Sequence, residues 1–245
     1  MKHEKNANSF RWYQKSYKKE GFGAQRLYPN EELLRFLGRH FFLIPIQKRK
    51  NIKILELACG SCSNLWMIGK EGFKAYGIDF SDVAIRLGKK MLKRWKTNAS
   101  LTRGNFAALP YESNFFDCVI DVLSLYCVPF EQLGECLNGV NRVLKNGGLF
   151  FSYYPSTGSD AFKTYAPSKK LGPYTLDGIK RKNSPYFGNN FPFSFISPSA
   201  YKKVLEEKGF KTVYLETVSR TYRGPKEKFE FVVVVGKKIK NYPKK

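Results

Sequence analysis

The sequence predicts an α/β fold with a mostly parallel sheet and helices on both faces, and three observations predict it. An apolar run, Ile52 to Leu57, ends in a turn of small residues, Ala58 to Ser63. An amphipathic segment follows, and a second apolar run ends at Asp79, about twenty residues after the turn, the spacing of a nucleoside-binding βαβ unit. Strand-like and helix-like patterns then keep alternating as far as Tyr154.

Each element has its own local reason. Ile52, Ile54, Leu55 and Leu57 form the near-continuous apolar run of a strand buried on both faces. In the turn, Gly60 supplies conformational latitude and its small neighbours let a ligand approach the backbone. Leu65 and Ile68 mark one side of the next helix, which stops near Gly72. Phe73 to Asp79 is the second strand. Ser81 caps a helix in which Val83, Leu87, Met91 and Trp95 recur every fourth residue, with Lys89, Lys90, Lys93 and Arg94 on its solvated faces. Leu133, Cys136, Leu137, Val140 and Leu144 define another buried stripe. Ser197 and Pro198 open a late helix that Gly209 closes, and KTVYLETV and KFEFVVVVGKK read as strands. Ahead of the first strand, Ser9 to Lys50 is charged and aromatic, with Trp12, Tyr13, Tyr17 and Tyr28, followed by a helix beginning near Asn30.

Cys59 and Cys62 form a CxxC at a strand-to-helix turn, which admits two readings. One is a thioredoxin-like redox pair. The other is a pair of small buried packing residues. Zinc lacks a second CxxC or a His pair to complete four ligands, and a dinucleotide would want GxGxxG where only Gly60 stands.

The segment Arg103 to Pro129, RGNFAALPYESNFFDCVIDVLSLYCVP, is followed by NRVLKNGGLFFSYY, Asn141 to Tyr154. With ILELACGS and GIDFS ahead of them, these motifs resemble, in order and spacing, those of small-molecule class I S-adenosylmethionine-dependent methyltransferases, over roughly residues 51 to 236. The resemblance implies a Rossmann-like, seven-stranded, mostly parallel sheet with an antiparallel last strand, and S-adenosylmethionine as cofactor. It places Glu56 toward the methionine ammonium, and Ala58, Gly60 and Ser61 along the cofactor. Ala58 and Cys62 stand where the family often has glycine. Asp79 matches the acid that takes the ribose hydroxyls, Phe80 would lie against adenine, and Asn105 with Phe106 takes the usual Asp-apolar position near the adenine amino group. Asp121 is expected near the transferred methyl, as a cofactor contact and, with Tyr154, as a candidate catalytic group. Arg26 and Tyr28 are candidate lid residues near the cofactor carboxylate or the acceptor, and Tyr153, at the end of the fifth strand, is a candidate substrate-side residue.

Domain organisation follows. Residues 1–50 are expected to form an N-terminal lid or helical segment, and 51–245 a methyltransferase domain. A Pro-, Gly-, Lys- and aromatic-rich substrate-side insert, 155–197, lies after the fifth strand. No apolar run reaches the length of a membrane span and the start resembles no signal peptide, so a cytoplasmic protein without membrane insertion is expected. Five cysteines without framework spacing agree with a reducing compartment.

With 43 basic against 20 acidic residues the net charge is +23, so a nucleic-acid methyltransferase is the alternative reading. The fourth strand ends DVLSL, without the Asn/Asp-Pro-Pro-aromatic sequence that serves exocyclic amines, and Tyr126 rather than proline precedes Cys127. The expected acceptor is therefore a small molecule, methylated on oxygen or nitrogen, with phosphate-bearing or sugar-like acceptors preferred. A hydroxyl acceptor usually wants a base, and the only histidines, His3 and His40, fall outside the expected pocket. A fold that binds the cofactor without catalysis is the third class.

Overall fold

Ile54, Leu55 and Leu57 build the first strand, β1 (Lys53–Leu57), and all three are fully buried. In the computed structural model, which describes residues 7–240, β1 is an interior strand of a seven-stranded sheet, between β2 and β4. The other strands are β2 (Lys74–Asp79), β3 (Ser100–Arg103), β4 (Phe116–Val122), β5 (Leu144–Pro155), β8 (Phe210–Tyr222) and β9 (Glu227–Lys238), in the order β3-β2-β1-β4-β5-β9-β8. Strands β1 to β5 pair in parallel, and β9 runs antiparallel between β5 and β8. The strand order reverses between β1 and β4, and a crevice opens there at the carboxyl ends of the strands.

Helices α1 (Ala7–Glu20), α2 (Glu31–His40), α3 (Ile46–Arg49), α4 (Leu65–Lys70), α5 (Asp82–Arg94), α6 (Phe130–Val143), α7 (Asp160–Lys163) and α8 (Pro198–Glu207) flank the sheet. Capping sets the starts of three of them. Asn30, Ser81 and Ser197 accept side-chain hydrogen bonds from the backbone N–H of Leu33, Ala84 and Ala200. Each satisfies a donor that the first turn leaves without an intrahelical partner. Among the described residues no helix is long and apolar enough to cross a membrane.

Two regions carry more regular structure than the sequence patterns specify. The first aromatic stretch is the helix α1, whose packed seam of Ser9, Tyr13 and Tyr17 repeats every four residues. Tyr17 packs on Val83 and Ala84 of α5. The 155–197 segment, whose sequence shows no regular periodicity, contains α7 and a small antiparallel ladder of β6 (Thr175–Leu176) and β7 (Phe193–Ser194). Phe191, Phe193 and Phe195 are all buried, so this segment completes the core over one end of the sheet.

Candidate functional site

The turn after β1 is built on left-handed residues. Ala58, Gly60 and Cys62 have φ of 44°, 53° and 65°. Only glycine adopts such values without strain, so the two positions where the family often has glycine are the strained ones here. Replacing Ala58 with glycine removes roughly 1–2 kcal/mol of strain and adds about 0.4–1 kcal/mol of unfolded-state entropy. Ala58→Gly is therefore expected to raise stability by about 0.5 kcal/mol, read as a higher urea midpoint with unchanged slope.

The cysteines of this turn point down into the fold. A Cβ on Gly77 of β2 would lie 2.7 Å from the Cys59 sulfur, and one on Gly88 of α5 would lie 2.6 Å from the Cys62 sulfur. The two thiols fill the dimples these glycines leave. Both are buried and free, and a hydrogen bond with Cys62 together with burial pushes the Cys59 thiol well above its ordinary range. A nucleophilic redox cysteine needs the opposite shift. The packing reading of the CxxC is the one this geometry supports.

Two carboxylates frame the turn. Asp79, closing β2, accepts from the Gly60 N–H at 2.9 Å and from the Ser81 N–H at 2.8 Å, tying turn to helix α5. Burial still holds its carboxyl up at about 6. Glu56, on β1, accepts from Asn64 Nδ2 at 2.5 Å through one oxygen, while its other oxygen is buried without a hydrogen-bond partner. Burial raises this carboxyl to about 8 against the opposing pull of Asn64 and of Arg26. An unpaired buried carboxylate oxygen is costly unless something fills the space beside it. The Ser61 hydroxyl is likewise buried and unpartnered.

Two adjoining cavities open at these groups, sharing Tyr13, Gln25, Ala58 and Leu123 as walls. The smaller, about 60 Å³, lies between Asp79, Phe80 and Phe106 on one side and Phe10, Tyr13 and Tyr17 of α1 on the other. The larger, about 260 Å³, is lined by Arg26, Glu56, Asn64, Tyr126 and Tyr186, among others. Helix α1 lies across both. Phe10 stacks on Phe80 with centroids 4.1 Å apart, Gln14 hydrogen-bonds Ser81 and Asp82, and the Tyr13 hydroxyl meets that of Tyr126 at 2.5 Å. Trp12 Nε1 donates to the Gly188 carbonyl, joining α1 to the 155–197 segment.

The sequence-derived candidates divide accordingly. Arg26, Glu56, Ala58, Asp79, Phe80 and Phe106 line the cavities, and Gly60 and Ser61 form the turn beside them. Five others do not line either cavity. Asn105 is turned onto its own loop, accepting from the Ala107 N–H at 2.9 Å. Asp121 is fully buried with both oxygens engaged: the Ser124 and Leu125 N–H groups donate to one, the Ser152 hydroxyl to the other. It braces the turn after β4, where Leu123, at φ 59°, and Tyr126 reach the cavity. Tyr154 is buried against Tyr201, Tyr153 stacks on Phe231, and Tyr28 is 60% exposed beside Trp66 and Trp95. Asp121, the two β5 tyrosines and Tyr28, expected near the reacting groups or over them, thus stand outside both cavity linings in this structure. His40 lines a separate groove with Glu32 and Tyr214, and His3 lies outside the described residues.

Sequence reasoning missed Tyr13, Gln25, Asn64, Leu123, Tyr126, Cys127 and Tyr186 as wall residues. The four-residue spacing of Ser9, Tyr13 and Tyr17 was the available signal for α1. Tyr126 directly follows a parallel strand, the usual place for ligand contacts. Tyr186 has no local signal, because long-range folding of its segment puts it there.

The chain matches the model of a methyltransferase domain over residues 54–148. A demethylmenaquinone methyltransferase of Staphylococcus aureus is 30% identical over 194 residues, covering 74% of this chain and 78% of that protein. One of Geobacillus stearothermophilus is 36% identical over 111 residues, covering 42% of this chain and 44% of that protein, so the chain spans less than half the length of that relative. In fold, the chain is similar to a Burkholderia thailandensis 1,6-didemethyltoxoflavin-N1-methyltransferase with bound 1,6-didemethyltoxoflavin and S-adenosylhomocysteine. The TM-score is 0.65 at 14% identity, covering 97% of this chain and 90% of that one. Sheet order, the turn after β1, the motif order and these relatives agree, and the chain belongs to the class I S-adenosylmethionine-dependent methyltransferases.

Proposed function

We propose that the chain transfers a methyl group from S-adenosylmethionine to a small-molecule acceptor whose reacting part is planar and aromatic. The observation that carries the cofactor assignment is the buried, unpartnered oxygen of Glu56, facing the same cavity system as Asp79. A cation is the partner such an oxygen lacks, and the methionine ammonium supplies one. Asp79 keeps lone pairs free for ribose hydroxyls beyond its two backbone bonds. The Phe80 face suits adenine, and Phe10, now stacked on it, has to yield that face, so α1 acts as a lid that shifts on binding. Residues 155–197 complete the acceptor side through Tyr186. When bound, the cofactor supplies an electrophilic methyl; the protein aligns the acceptor and excludes water.

The acceptor reading departs from the preference for phosphorylated or sugar-like molecules. The lysines of the insert that motivated it, Lys163, Lys169, Lys170, Lys180 and Lys182, are exposed, and Lys180 pairs with Asp177. Arg26 is the cation in the lining of the larger cavity, and Tyr13, Tyr126 and Tyr186 are its aromatic side chains. The relatives named as demethylmenaquinone methyltransferases support a small aromatic acceptor. Transfer of tritiated methyl to a panel of hydroquinones, phenols, nucleotide sugars and RNA tests this reading. Label is expected in the aromatic set, and selective labelling of RNA or nucleotide sugars would overturn it.

Glu56 also gives a pH dependence. Below its value of about 8 the free carboxyl is protonated and has to lose that proton to hold an ammonium. Affinity for S-adenosylhomocysteine is therefore expected to rise with pH, by about tenfold per unit, and to level off near pH 8. Below about 6 protonation of Asp79 steepens the fall. In Glu56→Gln, calorimetry should show weaker binding and no slope between these two values.

A further inference from the structure

The larger cavity has an uneven set of charges and protons. Its titratable wall groups are Arg26, Glu56, Cys59, Tyr13, Tyr126 and Tyr186. Burial raises Tyr13, Tyr126 and Tyr186 above the ordinary phenol range, and Cys59 is raised as well, so all four stay protonated and offer hydrogens. None of them can take a proton from an acceptor at neutral pH. The remaining candidate base, Glu56, is the group that the cofactor ammonium engages.

Arg26 is the counterweight. It interacts electrostatically with both Glu56 and Tyr186, and it forms no ion pair or hydrogen bond among the described residues. With Glu56 opposite the cofactor's ammonium, Arg26 is the fixed cation left in the lining, open to the cofactor's own carboxylate or to an acceptor beside Tyr186. A protonated amine would be repelled there, and an anion held. An acceptor that arrives already ionised offers its electron pair without a proton to dispose of, which is what a wall without a free base requires. The Tyr13 and Tyr126 pair and Tyr186 add aromatic faces and hydroxyl donors suited to a flat oxyanion.

We propose that the acceptor binds in this cavity as an aromatic oxyanion, a phenolate or the singly ionised form of a hydroquinone, with Arg26 as the group that pairs with its charge. The proposal rests on the cofactor reading above and adds the ionisation state of the acceptor and the residue that selects it.

The test is binding of 4-nitrophenolate, of uncharged 4-nitroanisole and of benzylamine to the protein saturated with S-adenosylhomocysteine, read by absorbance and calorimetry. Nitrophenolate is expected to bind at least about tenfold more tightly than nitroanisole. Arg26→Gln is expected to erase that preference and to change the Kd for S-adenosylhomocysteine by a clearly smaller factor, through its coupling to Glu56 alone, and Arg26→Lys to retain part of the preference. Equal loss of S-adenosylhomocysteine affinity in Arg26→Gln would place this arginine on the cofactor carboxylate and overturn the proposal. Tighter binding of benzylamine, or no preference between nitrophenolate and nitroanisole, would overturn it while leaving the cofactor reading standing. Wild-type protein that fails to bind S-adenosylhomocysteine would remove both.

Discussion

Asp79→Ala is expected to weaken binding of S-adenosylhomocysteine by about a hundredfold or more, the loss of two charge-assisted hydrogen bonds to a ribose at roughly 1.5–3 kcal/mol each. The substitution acts twice. It removes the acceptor that the cofactor reading assigns to the ribose, and it releases the Gly60 and Ser81 N–H groups that this carboxylate holds at 2.9 and 2.8 Å. Asp79→Asn separates the two effects, because an amide keeps one acceptor oxygen but loses the charge. Its binding is expected to fall between wild type and Asp79→Ala, with stability closer to wild type. Binding by Asp79→Ala indistinguishable from wild type would remove Asp79 from the cofactor site.

Gly77→Val is expected to destabilise the protein by about 1–3 kcal/mol and to abolish cofactor binding at accessible ligand concentrations. A Cβ at this position would lie 2.6 Å from Leu65 Cδ1, 2.7 Å from the Cys59 sulfur and 3.0 Å from Cys59 Cβ. Gly77 also sits opposite Glu56 in the β1–β2 register, directly beneath the turn. A larger residue lifts that turn, and Ala58, Gly60 and Ser61 with it. The milder Gly77→Ala gives a sharper diagnosis, since truncating Cys59 to alanine removes one of the clashing atoms. In a double-mutant cycle followed by urea denaturation, Cys59→Ala should cost less stability in the Gly77→Ala background than in wild type. Purely additive costs would show that the sulfur is not what the missing side chain makes room for.

Much of this arrangement was legible where the cause is local. The apolar run before Ala58, the serine cap at residue 81 and the acid closing β2 each act within a few residues, and the βαβ unit follows from them. The small turn residues were also legible, although their spacing alone left a redox pair open. The deciding fact, that Gly77 and Gly88 provide the space for the two sulfurs, joins residues distant in sequence.

What the sequence hid depends on partners brought from afar. Asp121 looks like Asp79, an acid at the end of an apolar strand, yet Ser152 from the next strand and two N–H groups from the following turn satisfy it inside the fold. The Tyr201 hydroxyl donates to Ser152 in turn, closing a buried chain that holds the wall and does not face the cavity. Tyr153 and Tyr154 alternate along β5, and because β4 and β9 flank that strand and helices cover it, both faces are interior. Within the expected N-terminal lid or helical segment, the bounds of α1 were not legible because tyrosine and serine, not leucine, carry its packed seam. Tyr186 depends on the Phe191, Phe193 and Phe195 alternation burying its segment, a period-two pattern readable only once that stretch is known to be core.

The central claim is that the crevice at the ends of β1 and β2 holds S-adenosylmethionine with Glu56 facing its ammonium. Calorimetric titration of the protein with S-adenosylhomocysteine near neutral pH, in two buffers of different ionisation enthalpy, tests it most directly. Because the free Glu56 carboxyl titrates at about 8, binding is predicted to release close to one proton, so the apparent enthalpy should differ between the buffers. Absence of binding would contradict the claim outright, and binding with buffer-independent heat would contradict the role given to Glu56.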